Sequence, residues 1–140
     1  MTRQVFVTGL GMITPLGLDT AGSWNNLVNG VSGVDLISAF DPEGFETRFA
    51  AEVKGFSPED FIDKKKARHM DRFAQFAMVA MQEAMWQAEV SMEQLDPTRF
   101  AVIIGTGIGG IGTLSEQWNV LQNRGPTRVS PFLIPMMLPD

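Results

Sequence analysis

Between Asp71 and Ala88 the chain carries apolar residues on almost every face of a helix. Phe73, Phe76, Ala77, Ala80, Met81, Ala84 and Ala88 recur at helical spacing, while Ala74, Met78, Val79, Met85 and Trp86 fill much of the opposite side. A helix apolar all round is buried on more than one side, so this pattern predicts a central helix sandwiched between layers. Its alanine stripe predicts close approach to another helix or a sheet. Met78, Met81 and Met85 read as adaptable core filler and not as ligands.

The rest of the chain reads as short strands and helices set between turn signals. Gln4 to Thr8 is β-rich and is punctuated by Gly9-Leu10-Gly11, predicting a core strand that runs into a tight turn. Asp19 or Thr20 can cap a short helix ending near Asn29, with Gly30 as its stop and Trp24, Leu27 and Val28 as its apolar face. Gly33, Pro42, Gly44 and Gly55 break residues 31 to 56 into short strands, with Phe49 to Val53 as one arm of a hairpin. Ser57-Pro58-Glu59-Asp60 predicts a helix start leading into a charged helix that reaches about His69. Arg99 to Ile104 reads as a second core strand, followed by a glycine-rich turn to Gly112 and a helix from Thr113 to Asn123 that Gly125-Pro126 ends.

Several function classes are disfavoured by composition. The 140 residues carry a formal net charge of −5, against the basic surface that broad nucleic-acid binding needs. There is no cysteine, hence no disulfide, thiolate metal site or cysteine nucleophile within these residues. The single histidine, His69, lies in a basic helical stretch and not behind a strand-end serine, which argues against a Ser-His-Asp site. No converging set of His, Cys and carboxylate ligands suggests a metal. The apolar run after Arg3 is too short for a signal core or a membrane span, so a cytoplasmic protein is expected.

Two motifs have chemical content. Gly105-Thr106-Gly107-Ile108-Gly109-Gly110 matches G-x-G-x-x-G between a predicted strand and helix. A dinucleotide site would also need an acidic residue about 20 positions on and a following strand, and neither is present. The remaining readings are a tight strand-to-helix connection and a loop lining a non-nucleotide pocket. The second motif is basic. Lys64, Lys65, Lys66, Arg68 and Arg72 stand against the single acid Asp71, so this stretch is net +4. It is either a solvated face balanced by Glu59, Asp60 and Asp63 or a dock for an acidic partner. Arg124 and Arg128 form a smaller basic pair. Glu59 and Asp60 read as a helix N-terminal feature, not an acid/base couple.

Taken in order, these segments resemble a known family. Residues 5 to 17 (VFVTGLGMITPLG), Ser32-Gly33, Phe40-Asp41, residues 68 to 73 (RHMDRF), residues 102 to 110 (VIIGTGIGG) and residues 128 to 132 (RVSPF) are similar, in register, to the opening of β-ketoacyl-acyl-carrier-protein synthases. The Thr14-Pro15-Leu16-Gly17 opening and Ile108 resemble type II members. The resemblance implies an α/β fold, part of the N-terminal half of a thiolase-like fold, a mixed sheet with buried and flanking helices. It implies an acyltransferase of fatty acid synthesis that loads an acyl chain on a cysteine and condenses it with malonyl carrier protein, aided by two histidines.

In the family that cysteine follows shortly after the position of residue 140 and the histidines lie much further on, so no catalytic residue is expected here; His69 matches neither histidine. Residues 1–140 are therefore expected to be an incomplete N-terminal part of a ketosynthase domain, inactive in isolation. The resemblance places Gly107, Ile108, Gly109, Leu133 and Ile134 at the substrate pocket, the last two across a homodimer interface. Lys65, Arg68 and Arg128 fall at or beside positions that dock acyl carrier protein. No cofactor and no metal are implied. A polyketide ketosynthase or a non-catalytic chain-length-factor-like partner would share these motifs. Thr127 replaces a frequent base, and Asp140 stands where the family more often has asparagine.

Overall fold

The computed structural model describes residues 2 and 4–138. Asp140 lies outside them. The chain divides into two compact units, one of residues 1–56 and 79–91 and the other of residues 57–78 and 92–140.

In the first unit, helix α1 (Thr20–Val28) starts at Asp19, whose carboxylate accepts from the Gly22 amide, and stops before Gly30 at φ +69°. Strands β1 (Val34–Leu36) and β2 (Phe49–Ala51) form an antiparallel hairpin in which Val34 faces Ala51 and Leu36 faces Phe49. The hairpin is cross-braced by Lys54 to Asp35 at 2.6 Å and by Glu52, which accepts from the Ser38 amide, the Ser38 hydroxyl and the Ala39 amide. Both carboxyls are held below their ordinary values, Asp35 chiefly by its hydrogen bond from Lys54 and Glu52 chiefly by that from Ser38.

In the second unit, a 3-10 turn (Pro58–Asp60) precedes the short helix α2 (Lys64–Ala67), and α4 (Ile111–Arg124) is followed by a 3-10 turn (Pro126–Arg128) and α5 (Leu133–Met137). The continuous charged helix expected from Ser57 to His69 is thus two pieces. Asp63 interrupts it by capping α2, accepting from the Lys65 and Lys66 amides. Pro135 is tolerated inside α5 because it sits in the first turn, where an N–H has no helical partner.

Helix α3 (Arg72–Gln87) is the long apolar helix read from the sequence, and it contributes to both units. Its alanine stripe does admit a close neighbour. Gly9 and Gly11 lie against its backbone so tightly that a Cβ on either would overlap the carbonyls of Ala84 and Ala80. Polar side chains on the same helix clamp this loop: Glu83 accepts from the Met12 amide at 2.9 Å and the Thr20 amide at 2.8 Å, and Gln87 accepts from Leu10. The helix is less covered than its pattern predicts, however. Val79 is its buried residue, most of the others are half-buried, and Trp86 is 81% exposed.

The two expected core strands are also corrected. Residues 4–8 and 100–104 form no ladder, and Val5, Val7 and Ile103 are 80% exposed or more. Arg99 instead ends a 3-10 turn (Pro97–Arg99) that Asp96 caps through the Thr98 amide. A strand exists only as a pairing, and among the described residues neither segment has a hydrogen-bonded neighbour. Among the described residues the buried apolar side chains are correspondingly few, namely Phe56, Ile62, Ala67 and Val79, and each keeps some exposure.

Candidate functional site

The site residues singled out from the sequence all lie in the second unit. Gly110 is the N-cap of α4 and has no side chain with which to cap it. Asp71 supplies the missing acceptor from a distance in sequence. Its Oδ2 accepts from the Thr113 amide at 3.0 Å and the Thr113 hydroxyl at 2.6 Å, while its Oδ1 accepts from the Phe73 amide at 3.3 Å at the start of α3. One carboxylate thereby caps two helices. Gly110 must be glycine for a second reason: a Cβ there would come within 2.9 Å of the Met137 Cα on α5. Gly109, at φ +78°, lies beside the Met137 carbonyl, and Thr106 accepts from its amide through the hydroxyl oxygen at 3.0 Å.

The glycine turn and α5 are therefore held together through Gly109, Gly110 and Met137. The same turn carries Gly107 and Ile108, and α5 carries Leu133 and Ile134. Ile108 and Ile134 point largely to solvent at 77% and 62% exposure, and Leu133 is half-buried. None of these three lines the neighbouring cavity of about 370 Å³, whose walls include His69, Phe73, Met78, Ile104, Met136 and Leu138.

The basic residues sit beside this arrangement. Lys65 lies on α2 and Arg68 is its C-cap; Arg128 ends the turn after α4. Gln75 ties α2 to α3 by donating to the carbonyls of Ala67 and Met70 at 3.0 and 3.1 Å. His69 packs against Phe132 with ring centroids 4.0 Å apart and the rings tilted by 40°, which brings the end of α2 to the segment that follows Arg128. Lys64 is neutralised by Glu59 at 3.0 Å and Asp63 is engaged in capping, but Lys65, Arg68 and Arg128 are exposed and make no ion pair among the described residues.

Sequence reasoning placed Asp71 at the opening of α3 but missed its bond to Thr113, and it missed Gln75 altogether. A helix starting at a glycine with no capping side chain was the one available signal that a distant acceptor is needed. Among the described residues no group of three or more His, Cys, Asp or Glu is placed to hold a metal ion, and no helix is long and apolar enough to cross a membrane.

Known proteins of similar fold define its class. A solved structure described as the ishigamide ketosynthase/chain length factor matches 99% of the chain and 34% of its own length, with a TM-score of 0.85 and 30% identity. The fold is thus part of a thiolase-like ketosynthase. Residues 2–139 match the family model described as Beta-ketoacyl synthase, N-terminal domain, and the chain belongs to that family.

Among curated relatives, a 3-oxoacyl-[acyl-carrier-protein] synthase 2 of Staphylococcus aureus (strain COL) is 44% identical over 138 residues, covering 99% of this chain. The protein of the same name from a Synechocystis species is 43% identical over 136 residues, covering 97% of this chain. The chain spans about a third of the length of these relatives, 33% in each case.

Proposed function

We propose that this chain is the N-terminal part of a type II 3-oxoacyl-acyl-carrier-protein synthase, with residues 1–140 an incomplete portion of its thiolase-like domain. The observation that carries the reading is the 44% identity to the Staphylococcus aureus synthase across nearly the whole chain. In the reaction an acyl group passes from carrier protein to a cysteine thiolate. Malonyl carrier protein then loses carbon dioxide, and the resulting carbanion attacks the acyl-cysteine carbonyl. The products are 3-oxoacyl carrier protein, carbon dioxide and the free carrier-protein thiol released in the first step, with the cysteine thiol regenerated. The cysteine and the two histidines are supplied by the remainder of the synthase; these 140 residues alone do not condense. The exposed apolar segments 5–7 and 102–104 support this, since such surface marks a place where further structure packs.

The part played by the present residues is binding. Gly107, Ile108 and Gly109 line the acyl pocket, and Leu133 and Ile134 reach the partner's pocket in a homodimer. Lys65, Arg68 and Arg128, exposed and without an ion pair among the described residues, attract the acidic carrier protein. The synthase works in the cytoplasm. The test is condensation of acyl and malonyl carrier proteins by the whole synthase, with a control in which its active-site cysteine is alanine. A 3-oxoacyl product that requires the cysteine supports the assignment; absence of product from the intact protein overturns it.

The likeness to a ketosynthase/chain length factor structure at a TM-score of 0.85 favours a second reading, a polyketide ketosynthase or its non-catalytic partner. The residue at the cysteine position separates these: a cysteine retains the catalytic reading, and any other residue selects the chain-length-factor role.

A further inference from the structure

We infer that Asp71 is a positioning residue for the acyl pocket, acting through Thr113 on the Gly107–Gly109 turn. This rests on the reading of Ile108 as a pocket residue. Asp71 never needs to touch substrate. Its Oδ2 holds both the amide and the hydroxyl of Thr113 in the first turn of α4, two residues after Ile111, where the glycine turn becomes helix. Its Oδ1 is spent on Phe73, so the carboxylate is fixed from the α3 side. On the other side, Met137 closes over Gly109 and Gly110. Within the turn, the Gly109 amide donates to the Thr106 hydroxyl oxygen.

Gly105 and Gly107 have open space where a Cβ would stand, so packing does not fix the turn at those positions. The turn that carries Ile108 is therefore held at its helical end, by Met137 on one side and by the bond between Asp71 and Thr113 on the other. If Ile108 must yield for a long acyl chain to enter, the energy of that movement depends on this anchor. Releasing it lowers the cost and relaxes discrimination against long primers.

The experiment uses the whole synthase and compares kcat/KM for long and short acyl-carrier-protein primers. Asp71→Asn turns an NH2 or leaves a single acceptor oxygen toward donors that now meet two carboxylate oxygens. Thr113→Val removes the hydroxyl bond and keeps the backbone donor, so it carries the test if the Asp71 variant does not fold. Each is expected to raise the long-to-short ratio about ten-fold, the scale of losing one charge-assisted hydrogen bond. The double variant should do no more than the stronger single one, and Thr113→Ser should keep the parent ratio.

A purely structural bond would lower both primers together and leave the ratio alone. An unmoved or falling ratio overturns the inference. If Ile108→Phe still discriminates between primers in that case, the pocket reading survives. If Ile108→Phe lowers all primers equally in a protein of unchanged Tm, the pocket reading fails and the positioning role fails with it.

Discussion

Asp71 and Thr113, 42 residues apart, are joined by two hydrogen bonds to one carboxylate oxygen, from the Thr113 amide and its hydroxyl. The pair substitutes for the capping side chain that Gly110 cannot provide, and Gly110 cannot carry one because Met137 occupies the space. A local deficit created by close packing is thus met by a residue from another helix.

Replacing Gly110 with alanine is expected to destabilise the whole synthase by about 1–3 kcal/mol, the usual range for forcing an extra methyl into a packed contact. The Met137 Cα, 2.9 Å from the new Cβ, is backbone and must shift. Chemical unfolding measures the loss. Gly107→Ala, where a Cβ has open space, is the control and should cost far less.

Glu83 is the acceptor for two amides, those of Met12 and Thr20. Glu83→Ala leaves both part-buried donors without that partner, at about 1–3 kcal/mol for each that water does not reach. A drop in Tm accompanied by faster hydrogen exchange in residues 10–20 is the expected result. A drop in Tm with no local change in exchange would place the effect elsewhere.

Charge reversal at Lys65 and Arg68 is expected to raise the KM for carrier protein about ten-fold at low ionic strength, with a smaller effect at high salt because screening weakens attraction between exposed charges. Both side chains are exposed and free of ion pairs among the described residues. A KM that does not move would make the patch a solvated face only.

Ile108→Phe is expected to reduce turnover of long acyl primers about ten-fold or more relative to short ones, because added volume in a pocket costs most where the chain must pass it. Primer-length profiles of the whole synthase check this.

The hairpin should weaken in acid. Asp35 and Glu52 both have folded-state values below their ordinary 3.8 and 4.5, so their contribution is present above those values and is lost as the pH falls through the lower, folded ones. The amide resonances of Ser38 and Ala39, which donate to Glu52, should report it. In Glu52→Gln the acid transition at these two amides should disappear, leaving that of Asp35 and Lys54.

Local features were legible because their causes are local. The Asp19 cap and Gly30 stop of α1, the hairpin arm at Phe49, the extent of α3 and the end of α4 at Gly125 all follow from side-chain chemistry and φ preference within a few residues. The motifs of the glycine turn and of the basic stretch around Arg68 likewise identified the family before any coordinates. Where a second acceptor intervened, as at Asp63, the predicted helix was cut in two.

The sequence by itself thus determined where α1, α3 and α4 lie, the Asp19 cap of α1, and which family the chain resembles. Only the tertiary structure decided which apolar residues are covered and which distant groups share a hydrogen bond. Val5 to Val7 and Val102 to Ile104 have strand composition, yet no ladder forms, because β-pairing is a property of two segments and the composition of one cannot supply it. The bond from Asp71 to Thr113 was invisible for the same reason: each residue is an ordinary helix-start residue, and only the fold places one beside the other.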